Sequence, residues 1–395
     1  METPLALTPA RPFVVMAKPV GSRCNLACDY CYYTAVSSDD SRQNHMTDEL
    51  LELFIRQYIE ASEGPDVHIV WHGGEPALAG LDFYRRAVEL QKRNLPGGWS
   101  CRNNLQTNGV LLDAEWCRFI AEERFDVGLS IDGAARLHDK NRKDHGGKGS
   151  HKNAAAAIRC LQAHGVQPDL LCTVTSSAAG NPLEVYRALR EFDTGWIQFI
   201  PIVRRDSDGR LTADSVTANG YGDFLCAIFD EWALNDIGRL DVQLFAEAAR
   251  VWSGGAAGLC WMAPTCGRAV IVEMDGGVYS CDHYVYPQYR IGDIKTSHLR
   301  DLVDLPVQVS FGDNKRDLLP NECRICPWLS VCNGGCPKDR FITAGAAKGE
   351  PYKNHLCTGL KHFFSHAHPI AMKILGLARR GLSPSAIMLE LRRQS

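Results

Sequence analysis

The sequence is poor in the features that make a function easy to read. Its charges nearly cancel: 43 basic against 46 acidic residues leave a formal net charge of −3, so no field of one sign points to nucleic acid or to an anionic membrane surface. No apolar run approaches the ~18 residues that a membrane helix needs. The opening METPLALTPARPFVVMAKP lacks the basic, apolar, small-residue order of a secretory signal, which leaves a cytoplasmic chain as the expectation. Repeats, low-complexity tracts and a long polar linker are missing as well. What remains is 395 residues, 45% of them hydrophobic, enough for a large core and two or three domains.

Cysteine, by contrast, is plentiful, at 16 residues. In a reducing compartment these read as metal ligands more readily than as disulfides. Near the front, Cys24, Cys28 and Cys31 stand as C-x3-C-x2-C within CNLACDYCYY. Three thiolates are one too few to close a [4Fe–4S] cube, so one iron is left open to a small molecule. A structural zinc site would want a fourth ligand nearby. A second group crowds the last third: Cys260, Cys266 and Cys281 as C-x5-C-x14-C, then Cys323, Cys326, Cys332 and Cys336 as C-x2-C-x5-C-x3-C, with Cys357 closing the set. Eight thiolates make two four-cysteine sites, and spacing alone leaves two zinc sites or one bridged metal cluster open. Cys101, Cys117, Cys160, Cys172 and Cys226 stand singly within regular segments and are expected to be buried, inert thiols.

Between residues 12 and 200, short apolar runs alternate with amphipathic stretches. The expected strands are FVVMAK, VHIVWH (67–72), CRNNLQT (101–107), DVGLSI (126–131), LLCTVT (170–175) and WIQFI (196–200). Helices are expected between them, with Thr47 capping DELLELFIRQYIEA, Asp113 capping AEWCRFIAEE and Asn181 ahead of Pro182. Six strands each followed by a helix imply an α/β fold with a parallel sheet and right-handed crossovers. Periodicity does not separate an open sheet from a barrel. NGYGDFLCAIFDEWALNDIG and VQLFAEAARVW form a helical bridge, RAVIVEMDGGVYSCDH reads as a hairpin turning at DGG, and the tail from Leu360 reads as amphipathic helix. The domain expectation is 10–235, 236–259 (bridge), 260–360 and 361–395 (tail).

Chemistry-bearing motifs sit at strand ends, where ligands gather in α/β folds. In WHGGEP, Gly73 and Gly74 leave the backbone bare for close approach, and Glu75 can fix the turn or accept from an amine. LQTNG places Gln106, Thr107 and Asn108, and GLSIDG places Ser130, at two further strand ends; turn and cap chemistry is the bland reading of Asn108, Asp132 and Gly133. Tyr30 lies between cysteines, and Arg142 in HDKNRKD is a candidate carboxylate partner.

At CNLACDYCYY the sequence resembles the radical S-adenosylmethionine (SAM) enzymes, and in its last third their SPASM extension. The resemblance implies a partial (β/α)6 barrel followed by a small cysteine-rich domain. It also implies SAM and three [4Fe–4S] clusters. Cys24, Cys28 and Cys31 would hold the SAM-binding one. Cys260, Cys266, Cys281 and Cys336 would hold one auxiliary cluster, and Cys323, Cys326, Cys332 and Cys357 the other. Tyr30 matches the position beside the adenine, Gly73, Gly74 and Glu75 the family's GGE motif, and Asn108, Ser130 and Arg142 are carried as SAM contacts. With four thiolates each, the auxiliary clusters would accept electrons rather than bind substrate.

WHGGEPALAGLDFY, LQTNGVLLDAEWC, GLSIDGAARLHDKNR, WIQFIPIV, APTCGRAV and YSCDHYVYPQY together look like the anaerobic sulfatase-maturating enzymes. That likeness implies oxidation of a Cys or Ser in a Cys/Ser-x-Pro-x-Arg motif to Cα-formylglycine in an unfolded sulfatase. A deoxyadenosyl radical would take a β-hydrogen, and Asp282, directly after Cys281, matches the proposed base, with Tyr33 and His283 as helpers. The implied partners are the sulfatase chain and a flavodoxin- or ferredoxin-type reductant, with no nucleic acid or membrane, and a monomer is expected. The closeness of Met1 to the first strand leaves no room for an N-terminal peptide-binding domain and favours this reading over its rival. That rival is a SPASM maturase of a ribosomally made peptide, forming a thioether, carbon–carbon or epimer product. An electron carrier or a zinc scaffold is the alternative outside the enzyme class.

Overall fold

The computed structural model describes residues 12–35, 45–343 and 351–393. Residues 1–11 of the opening stretch read for a secretory signal, among them the first of the 10–235 segment, and the last two of the tail lie outside them. The first ten strands are β1 (Val14–Lys18), β2 (Asp66–Trp71), β3 (Ser100–Thr107), β4 (Asp126–Ser130), β5 (Asp169–Val174), β6 (Trp196–Pro201), β7 (Asp241–Val242), β8 (Ala269–Glu273), β9 (Gly277–Tyr279) and β10 (Arg290–Asp293). The first six coincide with the six expected from sequence to within a residue at each end. Two compact units share them: Met1–Leu129, Arg142–Pro168 and Cys266–Asp313 form the first, and Ser130–Asn141, Asp169–Thr265 and Asn314–Ser395 the second.

In the first unit β1, β2, β3 and β4 pair in parallel in that order. In β2 the side chains alternate, with Val67, Ile69 and Trp71 buried, as a strand with one covered face requires. Helices Asp48–Ala61, Leu81–Asn94 and Ala114–Glu122 follow β1, β2 and β3. Thr47 and Asp113 cap the first and third through side-chain oxygens that accept from Leu50 N, and from Glu115 N and Trp116 N.

On the other side of β1 the sheet continues in a way the sequence did not announce. β8 pairs in parallel with β1, with Lys18 opposite Glu273, and the chain then turns back through antiparallel β9 and β10. The turn is the expected DGG: Gly276 has φ +91, and Asp275 Oδ1 accepts from Gly277 N at 2.8 Å. The hairpin therefore carries Cys281 and Asp282 to the neighbourhood of β1. β10, which closes this edge, is too short and polar to be read from sequence.

In the second unit β5, β6 and β7 pair in parallel, and helix Ala218–Asn235 packs on helix Cys357–Arg379. The tail helix thus starts three residues before the expected Leu360, at the last cysteine. Asn181 precedes Pro182 as expected but makes no capping bond. Its amide instead donates to Ser177 O and accepts from Arg136, which leaves its side chain facing away from the helix start. No described helix is long and apolar enough to cross a membrane.

Candidate functional site

The loop that follows β1 carries Cys24, Cys28 and Cys31, all half-buried. Its backbone is braced from two directions within the first unit. Segment Arg142–Gly149 reaches it through Lys143 O, which accepts from Ala27 N at 2.7 Å, and through His145, whose Nε2 lies 3.0 Å from Cys24 O. The GGE turn after β2 reaches it through Gly21 O and Arg23 O, which accept from Gly74 N at 2.9 Å and Glu75 N at 2.8 Å. The two glycines are explained by this approach: a Cβ on Gly73, at φ +122, would stand 2.7 Å from Gly21 O, and one on Gly74 would stand 2.1 Å from Arg23 O.

Glu75 is fully buried and occupied with backbone. Its Oε1 accepts from Ala77 N at 3.0 Å and from Thr107 Oγ1 at 2.8 Å, and its Oε2 accepts from Asn108 N at 2.7 Å. Burial raises its pKa while these bonds and the Arg142 charge oppose the rise. The carboxylate therefore holds the turn after β2 against the end of β3, which was one of its two expected roles. Asn108 in turn donates to Asn25 Oδ1 at 2.8 Å and points its amide at Cys24 Sγ, 3.7 Å away. Tyr30 and Arg142 are both buried, with the guanidinium 5.5 Å from the ring centroid. Gln106 is spent on Gly128 O. Ser130, at the end of β4 and half-buried, falls in the second unit.

A second cluster in the first unit surrounds Asp282. Lys18, with no exposed surface, places Nζ 2.9 Å from Asp282 Oδ1 and 3.4 Å from Glu273 Oε1. Tyr33 Oη donates to Asp282 Oδ1 at 2.9 Å and lies 3.0 Å from His72 Nδ1, and Tyr32 Oη donates to Asp282 Oδ2. The Lys18 ammonium also sits 4.5 Å from the centre of the Tyr33 ring. Burial alone would raise the Asp282 pKa, but the charge of Lys18, with His72, His283 and the Tyr32 bond, outweighs it and holds the carboxyl far below its ordinary range. Burial raises both tyrosine hydroxyls and lowers His72, so two neutral phenols and the Lys18 ammonium face the Asp282 carboxylate, with Glu273 also beside that ammonium. Of the two expected helpers, Tyr33 bonds the carboxylate directly, while His283 stacks edge-on to Tyr32 at 5.7 Å. Sequence reading missed Lys18, Tyr32, His72 and Glu273. A lysine ending an apolar strand, and the first tyrosine of CYY, were the signals available.

In the second unit Cys323, Cys326, Cys332 and Cys357 line one open cleft with Trp328, Leu329 and Phe364. Cys332 is pushed up to about 12 by burial and by the neighbouring Cys357. Neighbouring ligands on a single tetrahedral zinc lie about 3.8 Å apart. Among the described residues the ligand atoms of three such side chains close to within 4.8 Å elsewhere, and not at this cleft. Four thiols spread this widely suit a multi-iron cluster better than one zinc ion. Of the other expected set, Cys266 and Cys281 belong to the first unit, and Cys260 and Cys336 to the second.

Two family models match the chain: the radical SAM superfamily over residues 19–182 and the SPASM iron-sulfur cluster-binding domain over residues 260–327. The serine-type anaerobic sulfatase-maturating enzyme of Bacteroides thetaiotaomicron is 42% identical over 91% of this chain and 90% of its own. The cysteine-type enzyme of Clostridium perfringens is 32% identical over 91% and 97%. Among solved structures, native anSMEcpe with bound AdoMet and Cp18Cys peptide superposes with a TM-score of 0.84 at 32% identity, over 92% of this chain and 99% of that one. SuiB bound to its precursor peptide SuiA, at 14% identity and a TM-score of 0.60, shares the fold.

Proposed function

Since this chain belongs to the radical SAM anaerobic sulfatase-maturating enzymes, we propose that its Asp282 is the base of formylglycine formation. The substrate is a sulfatase polypeptide whose Cys/Ser-x-Pro-x-Arg segment enters unfolded. SAM and iron–sulfur clusters are the cofactors that the two domains imply. The cysteine sets proposed for them are those of the sequence, with a radical SAM barrel over 10–235, a bridge over 236–259, the SPASM domain over 260–360 and a helical tail.

When bound, the SAM-loaded cluster supplies a 5′-deoxyadenosyl radical that removes one β-hydrogen from the target residue. Removing that hydrogen makes the adjacent thiol or hydroxyl proton far more acidic than in the parent side chain. A carboxylate that carries no proton of its own can take this one as the second electron departs, and its value lies in being ionised and fixed in direction. Lys18, Tyr32 and Tyr33 do both, by charge and by two hydrogen bonds. Cys281, one residue away, would hold the auxiliary cluster that takes the second electron, so proton and electron would depart at adjoining points. A serine substrate then gives the aldehyde directly, and a cysteine substrate gives a thioaldehyde that water hydrolyses with release of sulfide.

The roles assigned to Tyr30, Gly73, Gly74, Glu75, Asn108, Ser130 and Arg142 rest on the motif match; for Gly73, Gly74 and Glu75 the geometry adds the reading that they shape the cysteine loop. We place the protein in the cytoplasm as a monomer reduced by a flavodoxin or ferredoxin. The rival reading, a maturase of a ribosomally made peptide, has only fold-level likeness behind it.

The observation that carries the proposal is the Asp282 carboxylate held by Lys18, Tyr32 and Tyr33 beside Cys281. Its test is anaerobic incubation of the reconstituted protein with SAM, dithionite and Cys-x-Pro-x-Arg or Ser-x-Pro-x-Arg peptides, read by mass spectrometry. Aldehyde together with deoxyadenosine is expected, and Asp282→Asn should abolish aldehyde while still cleaving SAM. Aldehyde at an undiminished rate from that variant would refute the base assignment.

A further inference from the structure

Cys117 and Cys160 are two of the five cysteines expected to be solitary. The structure brings them together. Cys117 is fully buried on helix Ala114–Glu122, Cys160 is half-buried on helix His151–Ala163, and His164 sits at the end of that second helix. The two sulfurs and a ring nitrogen of His164 all lie within 4.8 Å of one another. Two features of the chain cause this. Cys160 and His164 are four residues apart and so share one helix face, and the two helices pack against each other within the first unit. His164 is also oriented. Its Nδ1 lies 2.8 Å from the backbone oxygen of Cys160, and only a protonated nitrogen can donate there, so in the neutral ring the lone pair belongs to Nε2. That bond holds the ring in place at the helix end, with one of its nitrogens within 4.8 Å of both sulfurs.

We propose that Cys117, Cys160 and His164 form a zinc site distinct from every iron–sulfur ligand in the chain. Two thiolates and an imidazole are a donor set that zinc accepts, with a water in the fourth place. The ligand atoms also converge as closely as one ion demands, in contrast to the wider cleft of Cys323, Cys326, Cys332 and Cys357. The site's position gives it work to do. Helix Ala114–Glu122 follows the strand end that carries Asn108, and helix His151–Ala163 follows the segment whose Lys143 and His145 brace the cysteine loop. An ion joining the two helices fastens both supports of that loop to each other.

The test is made on holoenzyme whose iron content is already complete, given one equivalent of zinc chloride and dialysed against a weak chelator. About one zinc per chain should remain beside undiminished iron, and zinc-edge X-ray absorption, which is blind to iron, should show two sulfurs near 2.3 Å with lighter scatterers near 2.0 Å. In Cys160→Ser and His164→Ala the retained zinc should fall at least tenfold with iron unchanged. No retained zinc in the wild-type protein, equal retention in both variants, a four-sulfur shell, or a Cys117–Cys160 disulfide in anaerobically prepared protein would each overturn the site. Should Cys160→Ser fail to fold, His164→Ala at its half-exposed position and the wild-type spectrum decide the matter. None of these readouts depends on formylglycine production, so the site stands or falls apart from the role of Asp282.

Discussion

Lys18 Nζ rests 2.9 Å from Asp282 Oδ1, although one residue ends the first strand of the chain and the other follows the hairpin built far downstream. Lys18 has no solvent-exposed surface and a second carboxylate, Glu273, 3.4 Å away. One buried cation thus pairs with two half-buried carboxylates. Replacing it with an apolar residue leaves like charges facing each other, and at least one must take up a proton.

Lys18→Met is therefore expected to cost about 3–5 kcal/mol in stability, the usual penalty for breaking a buried pair from one side. Its effect on catalysis has a definite sign. The wild-type Asp282 pKa lies far below its ordinary value, so the carboxylate is ionised throughout the working range. Without Lys18 the pKa rises, and formylglycine production should become pH-dependent, low in mild acid and recovering as pH increases. A thermal melt and a pH profile of product formation check the two halves; a flat profile at wild-type rate would contradict the second.

Tyr32→Phe and Tyr33→Phe each remove one hydrogen bond to a charged acceptor, worth about 1.5–3 kcal/mol. We expect product formation to fall roughly tenfold or more in each, with iron content and deoxyadenosine formation close to wild type. Because both phenols serve one carboxylate, the double variant should lose less than the sum of the two. Single-turnover kinetics on the three variants measure this.

Gly74→Ala should act on the metal rather than on the base. Its new Cβ would meet Arg23 O at 2.1 Å, a collision with backbone that only a shift of the cysteine loop relieves. With three four-iron clusters as the full complement, about two-thirds of the iron should remain and SAM cleavage should vanish. Gly80→Ala, where a Cβ meets nothing within 4 Å but the backbone sits at φ +83, ψ 156, should cost about 1–3 kcal/mol and spare the iron. Iron analysis with electron paramagnetic resonance separates the two variants.

Gly359→Ala is expected to strip a different cluster. Gly359 sits two residues after Cys357, and its Cβ would stand 1.8 Å from Ala218 O, where the tail helix crosses helix Ala218–Asn235. Parting these helices drags Cys357 away from Cys323, Cys326 and Cys332. The expected result is a loss of about a third of the iron, with SAM cleavage retained and aldehyde lost.

The sequence made some of this architecture readable and hid the rest for identifiable reasons. β1, β2, β4 and β5 were legible because each is a short, largely apolar run closed by a helix cap or a glycine, so local chemistry states the whole case. The cysteine triplet stood out by its spacing and Asp282 by its match to the family pattern in SCDHY, and the structure gathers Lys18, Tyr32 and Tyr33 about that carboxylate. Lys18, Tyr32, His72 and Glu273 were not, since they become neighbours only when β8 lies beside β1, and nothing local in either strand announces that pairing. Cys117 and Cys160 were misjudged in the same way: each looks like an isolated core thiol within its own helix, and only the packing of the two helices joins them. Asn181 shows the converse, a residue with the right local signal whose side chain was claimed by Arg136 and Ser177.

The register that sets Lys18 opposite Glu273 has a bearing on how such a chain can change over evolutionary time. Side chains on a strand alternate between faces, so gaining or losing a single residue inside β1 or β8 would throw one partner to the opposite side of the sheet. The same event in the Asp275–Gly277 turn would merely lengthen or shorten the hairpin. Descendants of this gene are thus free to drift in loop length, while the two strands are frozen in phase with each other.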